Sequence, residues 1–298
     1  MESPEIRSRL TWAIFLTFTV LCVEVAGGIL ANSLALLSDA AHMFADVFAL
    51  CLSWFALKIA SRPSTLTKTY GYHRMEIFAA FLNGTLLLFM AGGILYEAVQ
   101  RWQNPEQVQS GTVIIVAIIG LATNLGVIYF LKDPAHHSHD LNVKSALYHV
   151  LGDTVASVGV IIGGVVMHYT GWYVVDAVLG ALIAVLLIWG ARTILADSVH
   201  ILLEGVPKGI SLTEVEKELT AIPAIREIHE LHIWCICSNI YALSMHALVN
   251  DQKVNQAESI LSEIQERLRN KFNITHSTVQ FESNPCQEPG EILCGINH

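Results

Sequence analysis

The 298-residue chain is 53% hydrophobic and 14% charged, with a mean hydropathy of +0.50, and these values exclude an ordinary cytosolic protein. Its length would hold one large soluble domain or two smaller units. The formal net charge of −9, with no basic stripe along the chain, gives no electrostatic basis for binding nucleic acid.

Apolar residues are concentrated in the first two-thirds of the chain, in windows of about 20 residues, which is the length that spans a bilayer as a helix. The six windows cover roughly residues 11–31, 35–59, 77–99, 112–132, 143–168 and 174–196. No small-residue cleavage pattern follows the first window, so it is predicted to be a retained helix. We therefore predict a six-helix transmembrane domain over residues 1–207 and a soluble domain over residues 208–298, where Lys and Glu return.

The distribution of Lys and Arg predicts the orientation of the chain in the membrane. If the six helices alternate in direction, every Lys and Arg near the spans except Arg101 lies on the same side of the membrane. They are Arg7, Arg9, Lys58, Arg62, Lys68, Arg74, Lys132 and Lys144. Both termini and the soluble domain are then cytoplasmic. The short termini and compact length favour a bacterial inner membrane.

The soluble domain is predicted to contain elements in the order α-β-β-α-β. Its first helix begins after Ser211, a predicted N-cap with Glu214 at the spacing of a capping box. The later elements are strands at 226–236 and 240–249, a helix at 253–271 and a strand at about 274–282. This order predicts a small α+β domain with both helices on one face of an antiparallel or mixed sheet.

Two of the apolar windows contain the same charged pattern, His-x-x-x-Asp. The second window has His42 and Asp46, and the fifth has His149 and Asp153. Charged groups are costly at membrane depth, and a spacing of i, i+4 places the imidazole and the carboxylate on one helix face. Two such faces together offer two nitrogens and two oxygens, which a tetrahedral Zn²⁺ accepts. The alternative is that each pair only joins helices by hydrogen bonds.

The ligand types favour Zn²⁺ as the ion, because imidazole suits zinc whereas sites made only of oxygen suit Mn²⁺ or Mg²⁺. Cd²⁺ and Co²⁺ remain open. Metal binding requires deprotonated ligands, so protons compete for the same groups. A proton gradient would then drive export by protonating and metallating this cluster in turn. The resulting hypothesis is cation/proton antiport.

Further polar residues in the spans, and the cysteines, have more than one interpretation. Glu24 and Asp176, with Asn83 and Asn124, either line a hydrated path or bond helices together. Packing is the favoured role of the first four cysteines, which are Cys22, Cys51, Cys235 and Cys237. For Cys286 and Cys294, near the end of the chain, metal binding is a further possibility.

These motifs closely resemble the cation diffusion facilitator family of metal transporters, in its zinc-transporting branch. The matching segments are Gly27-Gly28, residues 33–42 with Asp46, residues 70–74 with Glu76, Asn83-Gly84, and residues 139–142 leading to His149 and Asp153. The resemblance covers nearly the whole chain. It implies a homodimer in the lipid bilayer, a transport site at the four His and Asp residues, a ferredoxin-like cytoplasmic domain and alternating access with proton exchange.

The resemblance also implies metal sites outside the membrane. In the soluble domain the family's positions match His229, His246 and Glu282, with His232, His276, Gln280, Cys286 and Cys294 as possible additions. An ordinary exposed sheet face would explain these residues as well. A loop site found in some members falls near His73, although residues 65–69 before it lack partner ligands. His136, His137 and His139 resemble the family's histidine-rich loop and would capture metal weakly, or form only a soluble loop.

Two rival functions remain open. An intramembrane metalloenzyme would be expected to carry His-Glu-x-x-His in a span, but the nearest string, at residues 229–232, has a spacing of three in a predicted strand. A membrane sensor without transport would not need ligands on two spans. We therefore predict a transporter and not an enzyme.

Overall fold

The computed structural model describes residues 4–131, 141–238, 240–251 and 253–284, and it describes side chains from residue 17 onward, except at 129–131, 141–146, 148 and 149. Six long helices come first. They are α1 (Pro4–Ala31), α2 (Leu34–Ala60), α3 (Met75–Gln103), α4 (Ser110–Leu131), α5 (Leu141–Thr170) and α6 (Val174–Leu202). The remaining elements are α7 (Leu212–Thr220), β1 (Ile225–Cys237), β2 (Ile240–Val249), α8 (Val254–Phe272) and β3 (Ile274–Glu282).

The six predicted spans are confirmed in order and in approximate position. In the described part of the chain, α2 to α6 each contain a stretch long and apolar enough to cross a membrane, and α1 contributes the shorter apolar stretch Thr17–Ala31. Helices of this kind satisfy every backbone hydrogen bond internally, which the bilayer core requires. The chain is therefore a multi-pass membrane protein.

The helices pack closely where glycines face branched side chains. A Cβ on Gly27 of α1 would lie 2.5 Å from Val116 Cγ2 of α4, and a Cβ on Gly164 of α5 would lie 2.7 Å from Ile114 Cγ1. Small residues at such crossings let membrane helices approach, where no hydrophobic effect drives them together. These contacts hold α1, α4 and α5 together.

The chain divides into two compact units, residues 1–52 with 82–194 and residues 53–81 with 195–298. The second unit contains the predicted α-β-β-α-β domain, with strand order β1-β2-β3. Strands β1 and β2 are antiparallel and β2 and β3 are parallel, so the sheet is mixed. The boundary between residues 207 and 208 stays a prediction.

One face of this sheet is covered by α7 and α8. Val215 and Leu219 of α7 and Ile264 and Leu268 of α8 are fully buried, in one core with alternate residues of β2 such as Met245. The periodicity of the sequence predicts these faces correctly. The predicted capping box was wrong: Ser211 is the N-cap, but its hydroxyl makes no capping bond and lies 2.8 Å from Thr213 Oγ1.

A β-bulge in β1 determines which side chains lie on the other face of the sheet. His229 pairs with His246 and His232 pairs with Ser244, so Glu230 and Leu231 together face only Met245. Glu230 has φ of +50°, the left-handed conformation that a bulge can require. Because of this extra residue, His229 and His232 lie on the same face, whereas Leu231 is fully buried.

Candidate metal centres

The intramembrane candidate site is formed by α2 and α5. His42 Nε2 lies 3.8 Å from Asp46 Oδ2, one turn along the same helix, and 3.5 Å from Asp153 Oδ1 of α5. Ligand atoms around a tetrahedral Zn²⁺ with bonds of about 2.0–2.1 Å are about 3.3 Å apart. His42 is therefore near the spacing that one ion requires with each carboxylate in turn, but Asp46 and Asp153 are too far apart for the three residues to form a group whose ligand atoms all lie within 4.8 Å of one another.

The fourth predicted ligand is only partly described. His149 lies in α5, four residues before Asp153, so the helix carries it on the same side as that carboxylate. Its side chain lies outside the described residues. The geometry of the predicted set thus rests on His42, Asp46 and Asp153.

Two further carboxylates lie beside these ligands. Asp39 precedes His42 by three residues, is 7% exposed, and is close enough to Asp153 and His42 to interact with their charges. Glu24 of α1 is 2% exposed and packs against the α4 backbone, since a Cβ on Gly120 would lie 2.7 Å from Glu24 Oε1. The prediction of the site omitted Asp39, although its spacing from His42 places it on the same face of α2.

The second candidate site lies on the sheet face that α7 and α8 do not cover. Glu282 Oε2 is 3.1 Å from His229 Nε2, and Glu282 Oε1 is 3.0 Å from His246 Nδ1. The ligand atoms of all three lie within 4.8 Å of one another, in the one group of this kind among the described residues. The two imidazole rings meet edge to face, with centroids 5.2 Å apart.

The strand register explains why these residues meet. His229 and His246 are directly opposed in the antiparallel pair, and His246 is opposed to Gln280 of β3. Glu282 follows Gln280 on the same face and accepts a hydrogen bond from Gln280 Nε2 at 2.7 Å. His229 is 3% exposed, and its Nδ1 has no hydrogen-bond partner in the described part of the chain. A buried polar atom of this kind is uncommon, and it fits a site built to receive a further ligand.

Of the possible additions to this site, Gln280 adjoins it through Glu282, whereas His232 and His276 are outside the group of three. His232 Nε2 is 3.0 Å from Glu230 Oε2, beside the bulge, and it is not part of the three-residue group. His276 is exposed on β3 and is also outside that group. Cys286 and Cys294 lie outside the described residues.

The predicted loop ligands do not form a described cluster. His73 lies in the turn before α3, and no group of three potential ligands among the described residues contains it. His136, His137 and His139 lie outside the described residues. Capture of metal by these loops stays a hypothesis.

The paired cysteines of β1 are suited to packing and not to metal binding. Cys235 and Cys237 are buried, and Cys235 Sγ donates to the carbonyl oxygen of Cys237 at 2.9 Å. Burial raises the pKa of Cys237 to about 11 and also raises the pKa of Cys235. Both thiols therefore stay protonated at neutral pH, whereas a metal binds the thiolate.

Comparison with known proteins covers both units. Residues 10–203 match the cation efflux transmembrane domain, and residues 207–284 match the cytoplasmic domain of cation efflux proteins. The metal cation efflux system protein CzcD of Cupriavidus metallidurans is 43% identical over 276 residues, which are 93% of this chain and 86% of that protein. A cadmium, cobalt and zinc/H⁺-K⁺ antiporter of Bacillus subtilis is 37% identical, covering 91% of this chain and 88% of the relative.

One further relative and one solved structure are similar to this chain. The zinc transporter ZitB of Escherichia coli is 35% identical over 290 residues, or 97% of this chain and 90% of that protein. The solved metal-bound C-terminal domain of the CzcD transporter is 41% identical and covers 24% of this chain and 99% of that domain, with a TM-score of 0.23. With six apolar helices and a matching cytoplasmic domain, the chain belongs to the cation efflux family of membrane transporters, which export divalent metal cations.

Proposed function

We propose that the protein exports Zn²⁺ from the cytoplasm in exchange for protons, by alternating access of one intramembrane site. The site consists of His42, Asp46, His149 and Asp153. The observation that carries the proposal is the convergence of His42 with Asp46 and Asp153, at 3.8 and 3.5 Å, between two apolar helices. A charged cluster at that depth is costly unless it serves a function.

The exchange follows from the chemistry of these groups. Imidazole and carboxylate bind a metal only when they are deprotonated, so loading the ion displaces protons and protonation displaces the ion. On the cytoplasmic side, Zn²⁺ binds to the deprotonated cluster. On the other side, protons that enter down their gradient take its place, and the protonated cluster returns. His42 lies close to both carboxylates, so protonation or metal binding at either carboxylate changes the electrostatic environment of its imidazole.

Zinc is the preferred substrate in this proposal, and Cd²⁺ and Co²⁺ are secondary substrates. Two nitrogens with two carboxylates give a borderline donor set that suits Zn²⁺ better than hard cations such as Mg²⁺. The names of the relatives point the same way, since they include a zinc transporter and a cadmium, cobalt and zinc antiporter.

We further propose a homodimer in a bacterial inner membrane, with both termini and the domain of residues 208–298 in the cytoplasm. The match to the cytoplasmic domain and the Lys and Arg distribution support this arrangement. His229, His246 and Glu282 would hold a regulatory Zn²⁺ on the sheet, and His73 with the loop histidines 136, 137 and 139 would gather metal. No catalytic step and no nucleic acid enters this function.

Flux in proteoliposomes tests the proposal. Wild-type protein should accumulate Zn²⁺ when a pH gradient is imposed, and Asp153→Ala should reduce that flux to the level of empty vesicles, because the variant lacks one of the ligands near His42. Asp251→Ala, in an exposed loop of the cytoplasmic domain, is the control and should retain wild-type flux. Zinc binding without flux in the wild type would instead identify a sensor.

A further inference from the structure

The end of α2 that precedes His42 is capped by a residue from another helix. Asp176, in the first turn of α6, is 1% exposed. Its carboxylate accepts hydrogen bonds from Ser33 Oγ at 2.6 Å, from the Leu34 amide at 2.5 Å and from the Ala35 amide at 3.3 Å. The first amides of a helix have no partner within it and form the positive end of its dipole. Asp176 supplies both the acceptor and the charge.

Arg101, at the end of α3, joins this cap to the turn between α1 and α2. It donates from Nη1 to the Asn32 carbonyl at 2.7 Å and from Nη2 to Asn32 Oδ1 at 3.0 Å. Its Nη1 is also 3.8 Å from Asp176 Oδ2. The Arg101 side chain is only 11% exposed. We call Asn32, Ser33, Arg101 and Asp176 the polar latch.

Burial along α2 places the latch at the closed end of the candidate transport site. Ser33 and Ser38 are fully buried and Asp39 is 7% exposed, whereas the side chains of His42 and Asp46 are 29% and 42% exposed. Access to the ligands therefore increases away from the latch.

The packing of α2 on α6 closes the same end. A Cβ on Gly180 would lie 2.8 Å from Leu34 Cγ and 3.2 Å from Ser38 Oγ, so the two helices are in close contact between the latch and the ligands. An ion could pass along this contact only if α2 separated from α6.

We propose that the polar latch is the closed gate on the extracytoplasmic face, and that Arg101 and Asp176 are positioning residues that separate when the ion is released there. The inference rests on the proposed function, since alternating access requires one end of the pathway to close while the other is open. The charges of the latch lie near the ends of their helices, where water can solvate them once they part. The latch thus differs from a permanent tie at mid-membrane, where no water would replace the lost partners.

Chemical labelling of the buried contact tests the gate. In full-length protein reconstituted in vesicles, the thiol introduced by Ser38→Cys should react slowly with a membrane-impermeant maleimide applied at the extracytoplasmic face. Adding Arg101→Gln should raise its labelling rate at least about fivefold, because a weaker latch increases the outward-open population. Peptide mass spectrometry separates this thiol from Cys22 and Cys51, which are exposed in the described structure.

Asp176→Asn is the second latch variant, because it keeps an acceptor for Ser33 while removing the buried charge among the three carboxylates that face Arg101. The other two carboxylates are those of Glu97 and Glu106. Arg267→Gln, which removes an arginine of an ion pair in the cytoplasmic domain, is the matched control and should leave the labelling rate unchanged. Variants are compared only where zinc titration shows an affinity within about threefold of wild type, a change of about 0.7 kcal/mol.

The gate proposal would be overturned if the labelling rate stayed unchanged in both latch variants. It would also be overturned if the labelling rate rose equally in the control variant. Loss of zinc affinity in both latch variants would also overturn it, because the latch would then support the site itself. A wild-type protein that binds zinc but shows no flux would refute the transport proposal instead. Normal zinc flux, together with a Ser38→Cys labelling rate that the latch variants do not change, would refute only the proposal that the latch is the gate.

Discussion

Glu282 is the residue on which the sheet site depends, because its two oxygens face different histidines. Oε2 lies against His229 Nε2 and Oε1 against His246 Nδ1. A carboxylate so placed either bridges two imidazoles by hydrogen bonds or shares a metal with them. The other ring nitrogen of His229, Nδ1, is buried and has no hydrogen-bond partner among the described residues.

Replacing Glu282 with Gln should weaken zinc binding by the cytoplasmic domain at least about tenfold, or about 1.4 kcal/mol, because an amide is a poorer metal ligand than a carboxylate. Isothermal titration of the full-length protein, in an Asp153→Ala background that removes the membrane site, would measure it. Glu266→Gln, at an exposed position on α8, should bind as the parent does. Equal affinities for the two Gln variants would show that the histidine pair does not bind zinc through Glu282.

Single residues differ in how far the sequence predicts their roles. The proposed transport ligands follow from one spacing repeated in two apolar windows, which few other structures would require. The sequence identifies Asp176 only as a polar residue with two interpretations, because its cap on α2 joins positions 142 residues apart. No local pattern encodes a contact of that kind.

At the scale of the elements, the crossing of α1 and α4 depends on a residue without a side chain. Gly27→Ala should destabilise this crossing by about 1–3 kcal/mol, because the new methyl would meet Val116, whose β-branched side chain has few alternative rotamers. Thermal melting in detergent would measure the loss. Gly92→Ala, where nothing lies within 4 Å of the new Cβ, is the control and should not lower the melting temperature.

Helices α7 and α8 are joined by charges as well as by their shared core. Lys271 Nζ and Arg267 Nη1 donate to the Glu218 carboxylate at 2.5 and 3.2 Å, and chiefly the Lys271 hydrogen bond lowers the pKa of Glu218 below its usual 4.5. A lowered pKa in the folded state means that the stabilisation is present above pH 4.5 and is lost as the pH falls through the folded-state value. Since Lys271 is exposed and Arg267 and Glu218 are only partly buried, solvent screens these charges and the effect is small.

Glu218→Gln should therefore melt at a slightly lower temperature than wild type at pH 7, and the two curves should converge as the pH falls through the folded-state pKa of Glu218, which lies below 4.5. Melting of the cytoplasmic domain, followed by circular dichroism from pH 7 to pH 3, checks this. With Glu266→Gln as the control, no pH-dependent difference is expected. A difference between Glu218→Gln and wild type that grows towards acid would contradict a lowered pKa of Glu218 in the folded state.

The elements themselves were largely predictable because apolar periodicity and length determine them. Strand β1 shows the limit. Its bounds were predicted within a residue, but the left-handed Glu230 and the resulting bulge have no signal in the residue type, since glutamate rarely adopts that conformation. Pairing with β2 selects the bulge, so its position emerges only from the tertiary fold.

At the scale of the whole molecule, the proposed antiport requires the proton gradient as its driving force. A protonophore should abolish accumulation of Zn²⁺ in vesicles driven by a pH gradient, and reversing the gradient should reverse net movement, because metal and protons occupy the same ligands. Zinc-sensitive dye inside the vesicles measures both. Valinomycin with equal potassium on both sides, which removes only the membrane potential, is the control. Accumulation that persists without the pH gradient would rule out proton exchange.

The bulge at Glu230 reverses the alternation of side chains between the two faces of β1. Along a regular strand, residues separated by three positions point to opposite faces, so His229 and His232 would be divided between core and surface. The single extra residue restores them to one side and sends Leu231 inward. Deleting Glu230 would therefore do more than remove a charge. Every residue before it in β1 would exchange faces, with His229 turned under the helices and Ile228 turned towards Glu282.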